Sequence, residues 1–227
     1  SSVDLKKKQA EIQKEIDDRL EMWKIYQENC DKLAQLLDET ENNLKGFSFK
    51  PTLEEKREMQ KHFHGIYTNL KEHENDFDSL SDKASDLIQS CGDSKTTVLV
   101  QQIKSRYLSD ENAAKEVLKK CEQMANDHKL WQDRFNGCTQ EFASCQKILD
   151  GIVANLATVS DRKELENISN QVTDLLERHK GMTQSLNSVV ELGENLYATT
   201  DPVGRDIIGA DTTNLQQKLE EFYDKVI

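Results

Sequence analysis

Apolar residues recur at alternating steps of three and four along this chain, and that spacing limits the fold more than any other feature. Seventeen such positions run from Val100 to Leu156, and fifteen of them are apolar or aromatic, with Asp110 and His128 as the exceptions. Because the chain is 36% hydrophobic, chance would place about six apolar residues there. The spacing predicts one continuous amphipathic helix that packs as a coiled coil.

The same spacing appears in four other stretches. One surrounds Trp23, and the others run from Met59 to Cys91, from Ile168 to Leu196 and from Leu215 to Tyr223. Only 2 Pro and 9 Gly interrupt the 227 residues, which is too few for the frequent turns of an all-β domain. We therefore predict an all-α protein.

The two halves of the chain repeat each other. Trp23 and Trp131 lie 108 residues apart, and Leu-x-x-His segments end 106 residues apart at His73 and His179. Three helical segments recur in the same order, which predicts two consecutive three-helix, left-handed coiled-coil bundles at residues 1–115 and 116–227.

The second copy departs from the first in two places. It carries about ten extra residues in Thr199–Asp211, where Pro202, Gly204 and Gly209 predict a long loop. Its last helix stops at Ile227, short of the position equivalent to Cys121, and the chain begins at Ser1 without a methionine. We expect a truncated last helix and a fragment of a longer protein.

Helix boundaries follow from breakers and capping signals. Gly46 and Pro51 separate the first two helices, and Gly92 separates the second from the third. The pairs Thr52-x-x-Glu55 and Asp161-x-x-Glu164 predict capping boxes. No breaker lies between the third helix of copy one and the first helix of copy two, so we predict that one continuous helix joins the bundles.

A three-helix unit of this length with a tryptophan midway along its first helix resembles the spectrin repeat. The matching residues are Trp23 and Trp131 in the apolar stripes and the Leu-x-x-His segments that end at His73 and His179. The stretch Tyr107–Trp131 resembles the helical linker of that family. The whole chain most resembles the rods of giant nesprins, the KASH-family proteins of the nuclear envelope.

This resemblance implies a structural role. It implies a rigid, monomeric rod that transmits force through Tyr107–Trp131 and scaffolds proteins in the cytoplasm. It also implies a link between actin and the nuclear envelope, with attachment to the outer nuclear membrane through other parts of the full-length protein. Actin-associated proteins such as a formin are the implied partners.

Charge argues against two classes of partner. The net charge is −12, and the longest basic run is Lys6-Lys7-Lys8. Phosphate contacts dominate nucleic-acid affinity and anionic lipids repel acidic surfaces, so we expect neither nucleic acid nor a membrane surface as a partner. No stretch approaches the ~18 apolar residues of a membrane span.

Candidate catalytic and metal-binding residues are absent from the sequence. It contains no nucleophile elbow, phosphate-binding loop or zinc-binding helix motif, so we expect no enzyme, no cofactor and no metal. His62 and His64 lie two residues apart and would face different sides of a helix. The five cysteines fall at core spacing, which favours packed thiols in a reduced, intracellular protein.

Four residues are predicted to stabilise the core. Trp23 and Trp131 are expected to be core anchors. His73 and His179 are expected to have partly buried structural roles, with a pH-sensitive core position as the alternative.

Two loops carry the candidate partner-binding residues, which are Phe47, Phe49, Val203, Ile207 and Ile208. Exposed aromatic and aliphatic side chains anchor interfaces well. We favour a second interpretation, in which both loops fold back over the ends of their bundles.

Two other classes of protein stay open. The first is a homodimeric coiled coil or BAR-like membrane-shaping module, which the 106-residue period and the lack of a basic face disfavour. The second is an enzyme, which would require a deep pocket with clustered titratable residues.

Overall fold

The computed structural model describes residues 2–91 and 95–227, and within those ranges it has helices, turns and loops but no strands. The helices are α1 Ser2–Leu44, α2 Leu53–Glu72, α3 Glu74–Cys91, α4 Lys95–Leu156, α5 Arg162–Leu196 and α6 Pro202–Val226, with a short 3-10 helix at Tyr197–Thr199. The prediction of two consecutive three-helix bundles is confirmed. The predicted continuous helix is α4, which has 62 residues.

The chain divides into two compact units. The first comprises Ser1–Ser48 and Met59–Cys121, and the second comprises Phe49–Glu58 and Glu122–Ile227. The sequence placed the boundary at 115/116 and assigned all of the first loop to the first bundle. The structure differs because Pro51 and Lys56 pack against the connection between α5 and α6.

The first unit is built from α1, α2, α3 and the beginning of α4. Its main core cluster consists of Tyr26, Cys30, Leu33, Leu37, Leu70, Phe77, Leu80, Ala84, Leu87, Val100, Ile103, Tyr107 and Ala114. The rings of Phe77 and Tyr107 stack with centroids 4.2 Å apart. All of these residues lie on the three-and-four pattern, although Ile12 and Ile16, on the same pattern in α1, are exposed.

The second unit is built from the remainder of α4 with α5, α6 and the start of α2. Its buried core residues are Trp131, Cys138, Cys145, Ile152, Ile168, Leu175, Met182, Leu186, Val189, Leu196, Ile208, Leu215, Leu219, Phe222 and Tyr223. The ring of Phe142 meets Phe222 edge-on at 5.6 Å.

Both predicted capping boxes are present in part, since in each the N-cap side chain accepts from the N–H three residues on. Thr52 Oγ1 accepts from the Glu55 N–H at 3.2 Å and donates to the Glu55 carboxylate at 2.9 Å. Asp161 accepts from the Glu164 N–H at 2.9 Å, and the Glu164 carboxylate accepts from the Ser160 N–H at 3.1 Å. Each box satisfies backbone donors that the first turn of a helix leaves unpaired.

The predicted second helix of the first bundle is interrupted at His73. Its Nδ1 donates to the carbonyl of Asn69 at 2.8 Å, and its backbone N–H bonds to Leu70, three residues back, at 3.2 Å. A side chain that enters the helical hydrogen-bond ladder breaks it locally. The apolar pattern continues across the interruption, so the pattern does not predict where the helix breaks. The break predicted at Gly92 lies outside the described residues.

The prediction of a long loop at Thr199–Asp211 is wrong. Helix α6 begins at Pro202, and Asp201 caps it by accepting from the Val203 N–H at 2.9 Å. Proline suits the first turn of a helix because its missing N–H has no partner there. Gly204 and Gly209 lie within the helix and do not break it.

None of the described helices combines the length and the apolar character needed to cross a bilayer.

Candidate functional site

The candidate partner-binding residues of the first loop have different environments. Phe47 is half-buried, and its ring lies 6.3 Å from that of Phe63 and 4.6 Å from the Lys120 ammonium. Phe47 therefore folds back onto the first unit. Phe49 belongs to the second unit, and 37% of its surface is exposed.

The candidate residues on α6 divide into exposed and buried positions. Val203 and Ile207 are 60% and 48% exposed, and their spacing of four places them on one face of the helix. Ile208 is 1% exposed and lies in the core of the second unit. The prediction of Ile208 as a partner-binding residue is therefore corrected, because this side chain faces the interior of the bundle.

An apolar groove of about 370 Å³ lies between α4 and α6 of the second unit. It is lined by Phe135, Thr139, Phe142, Ala143, Gln146, Lys147 and Asp150 of α4 and by Asp211, Asn214, Leu215 and Lys218 of α6. We name it the α4–α6 groove. The rim has two lysines and two aspartates, so it offers charges of both signs.

The exposed α6 residues continue this groove. Ile207, Asp211 and Lys218 follow one another at four and seven residues, which keeps them on one helix face. Phe135 and Phe142 at its floor are half-buried, and Phe135 stacks on Trp131 with centroids 5.3 Å apart. Ile207 therefore lies on the same helix face as the α6 side of the groove, and the groove's floor packs against the core.

The four predicted core anchors differ in burial. Trp131 is 5% exposed between the rings of His128 and Phe135, whereas Trp23 is only half-buried and meets Tyr26 edge-on at 5.9 Å. His73 is half-buried. His179 is exposed, with its ring 4.1 Å from that of Tyr223. The prediction that His179 is a core anchor is therefore corrected, because this residue lies at the edge of the apolar stripe of α5.

Three buried polar residues were not singled out from the sequence as functional residues. Lys56 is fully buried, and burial lowers its pKa to about 8. Burial also lowers the pKa of His128 to about 4, helped by the nearby Lys56, while burial and Glu41 raise the pKa of Asp110 to about 6. All three occupy positions of the three-and-four pattern, since Lys56 lies three residues before Met59. The sequence signal that could have identified them is a polar residue at a position of the three-and-four pattern.

The buried thiols are poor nucleophiles. Burial raises the pKa of Cys30, Cys138 and Cys145, and a raised thiol pKa depletes the reactive thiolate. Within residues 2–91 and 95–227, no group of three or more His, Cys, Asp or Glu side chains is arranged to hold a metal ion.

Comparison with known proteins finds one similarity over nearly the whole chain. The chain is 36% identical over 217 residues to the muscle-specific protein 300 kDa of Drosophila melanogaster. The alignment covers 96% of this chain and 2% of that protein, so the chain corresponds to a small part of a very large muscle protein. No family model and no solved structure matches the chain.

Proposed function

We propose that this chain is a non-enzymatic rod segment of a large cytoskeletal protein, which spaces and scaffolds protein partners and transmits force. The observation that carries the proposal is α4, a helix of 62 residues that contributes to both three-helix units. The 36% identity to part of a very large muscle protein supports a cytoskeletal setting.

Force would pass along the helices by way of their backbone hydrogen bonds. Tyr107–Trp131 lies wholly within α4 and contains neither proline nor glycine. A helix without such breakers resists bending, whereas a flexible linker does not. Extension of single molecules tests this step, because Glu116→Pro within Tyr107–Trp131 should separate one coupled unfolding event into independent ones at lower force. Glu116→Ala is the control, and identical traces for both variants would contradict force transmission through α4.

The cellular role we propose is a link between actin and the nuclear envelope. In this role the chain is cytoplasmic and cytoskeletal, as a monomer, and other parts of the full-length protein reach the outer nuclear membrane. Actin-associated proteins, among them a formin, are the proposed partners. Support comes from the resemblance to nesprin rods and from the similarity to a muscle protein.

The partner would dock in the α4–α6 groove and on Ile207 beside it. The α4 side of the groove runs from Phe135 to Asp150, which is about 22 Å of helix. That length and the apolar floor suit an amphipathic helix of the partner, and the mixed rim charges suit flanking residues of both signs.

Binding of purified actin filaments and a purified formin tests the partners and the surface together. Ile207→Asp combined with Ala143→Asp should weaken binding at least tenfold without changing the melting temperature, because both side chains are exposed. Val98→Asp with Ala113→Asp, at exposed sites of the first unit, is the matched control. Equal binding by the two double variants would refute the groove, and no binding by the unaltered chain would refute the partners.

A further inference from the structure

The segment Phe49–Glu58 packs on the second unit although α2 continues beyond it into the first. We name this segment the clasp. It lies against the connection between α5 and α6, where the backbone N–H of Asp201 reaches the carbonyl of Lys50 at 3.5 Å. The clasp is therefore held at one end by a long backbone hydrogen bond.

Backbone also meets backbone at Gly204. A Cβ built there would lie 2.4 Å from the Pro51 carbonyl oxygen and 2.6 Å from the Pro51 Cα. Such distances leave no room for a side chain, so only glycine permits this approach. Leu53 of the clasp is also buried. The clasp thus fits its site by shape.

Its one buried cation fits the site poorly. Lys56 is 0% exposed, and its ammonium donates to Thr200 Oγ1 at 2.8 Å. Among the described residues, no carboxylate lies within ion-pairing distance of it. A hydrogen bond to a neutral acceptor offsets only part of the free-energy cost of moving an ammonium out of water.

The groups around Lys56 do little to offset that cost. From α4, Asp127 favours the charged amine, while His128 lies close enough for the two cationic forms to disfavour each other. From the connection and α6, the carboxylate of Asp201 accepts from the N–H of Val203, and Arg205 donates to the Thr200 carbonyl at 2.9 Å. A second cation therefore adjoins the same threonine.

His128, beside Lys56, is a second buried titratable residue that lacks an ion-pair partner among the described residues. It is 6% exposed, and its Nδ1 has no hydrogen-bond partner among the described residues. Glu54, on the clasp itself, is the carboxylate that favours its charged form. The clasp thus fits closely at Gly204, while the charges around Lys56 and His128 are unfavourable.

We infer that the clasp is a strap poised to open, and that Lys56 keeps it so by favouring the state in which its ammonium reaches water. Opening detaches Phe49–Glu58 from the second unit and uncovers Thr200 and Gly204, while the core of the bundle stays folded. Replacing Lys56 with an apolar side chain of similar length then closes the strap.

Amide hydrogen exchange of the full chain at neutral pH measures this opening directly. Lys56→Met should slow exchange of residues 49–58 at least tenfold relative to the unaltered chain. Lys61→Met, at an exposed site on the same helix, should leave the rate unchanged. Gly204→Ala should speed exchange at least tenfold, because its new Cβ would collide with Pro51. Exchange in Lys56→Met that is equal or faster, or failure of that variant to fold, would overturn the inference, since either result makes Lys56 a stabilising tie.

A pH series separates charge from packing. Lys56 has a pKa of about 8 in the closed state against an ordinary 10.5, so protonation favours opening. The opening constant should be level below pH 8 and should fall as pH rises from 8 to 10.5, by up to tenfold per unit. The melting-temperature difference between Lys56→Met and the unaltered chain should therefore shrink across that window. A difference that stays constant would overturn the role of the charge.

Discussion

Trp131 on α4 and Gly193 on α5 are in close contact. A Cβ built at Gly193 would lie 3.1 Å from the indole Nε1 and 3.1 Å from Cγ2 of Ile208. A side chain at 193 would therefore press on the indole and on Ile208, which would have to shift by a few tenths of an ångström. This contact joins two helices of the second unit at its bulkiest core residue.

The first prediction compares two glycines of α5. Gly193→Ala gains about 1 kcal/mol of helix propensity but must displace Trp131 or Ile208, and such overpacking costs about 1–3 kcal/mol. We expect a net loss of stability. Gly181→Ala is the control, because no atom lies within 4 Å of its new Cβ, and it should stabilise the chain by about 1 kcal/mol. Urea unfolding followed by circular dichroism measures both. Equal gains in the free energy of unfolding would mean that the contact at Gly193 can accommodate a methyl group.

The second prediction compares the two tryptophans. Trp131→Ala should lower the free energy of unfolding by about 3–5 kcal/mol, because the side chain is almost wholly buried. Trp23→Ala should cost about 1–2 kcal/mol, because Trp23 is half-buried at the edge of its core. Denaturant unfolding of each variant tests this order. A larger loss at Trp23 would contradict the observed burial.

The third prediction concerns Asp110, which is 7% exposed in the first unit, with Oδ2 lacking a hydrogen-bond partner among the described residues. Its pKa of about 6 exceeds the ordinary 3.8, mainly through burial. The protonated acid is therefore favoured on folding. That stability is fully present below pH 3.8 and is lost as pH rises through 6.

Asp110→Asn should remove this dependence. The variant should be about 1–3 kcal/mol more stable than the unaltered chain at pH 7 and should differ little from it near pH 4. Arg106 lowers the Asp110 pKa in part, so Arg106→Gln should enlarge the effect. Thermal unfolding at a series of pH values measures it, and a stability difference that does not vary with pH would contradict the raised pKa.

Periodicity predicted the helices and most of the core. The stripe from Val100 to Leu156 became α4, and its apolar members are largely the buried residues. This succeeds because burial on one helix face repeats with the helix itself, which a linear sequence displays. Both capping boxes were equally visible, since they depend on residues three apart.

Features that helical periodicity does not encode were not predicted. Asp201-Pro202 is a helix-start signal, but Pro202 also suits a loop, and the extra residues of the second copy favour the loop. The interruption at His73 arises from a side-chain hydrogen bond that periodicity does not encode. Lys56 lay on the pattern, but its burial depends on Thr200, 144 residues away. The surface groove likewise arises only when α4 and α6 meet.

The continuity of α4 is the central claim, and a distance measurement by pulsed electron paramagnetic resonance tests it most directly. Spin labels on non-canonical side chains at Ser105 and Ser144, both exposed on α4, leave the native cysteines unchanged. Thirty-nine residues of unbroken helix separate them by about 58 Å, so one narrow distance distribution near that value is expected. A broad distribution, or a mean below about 50 Å, would show a bent or broken helix and contradict the proposed rod.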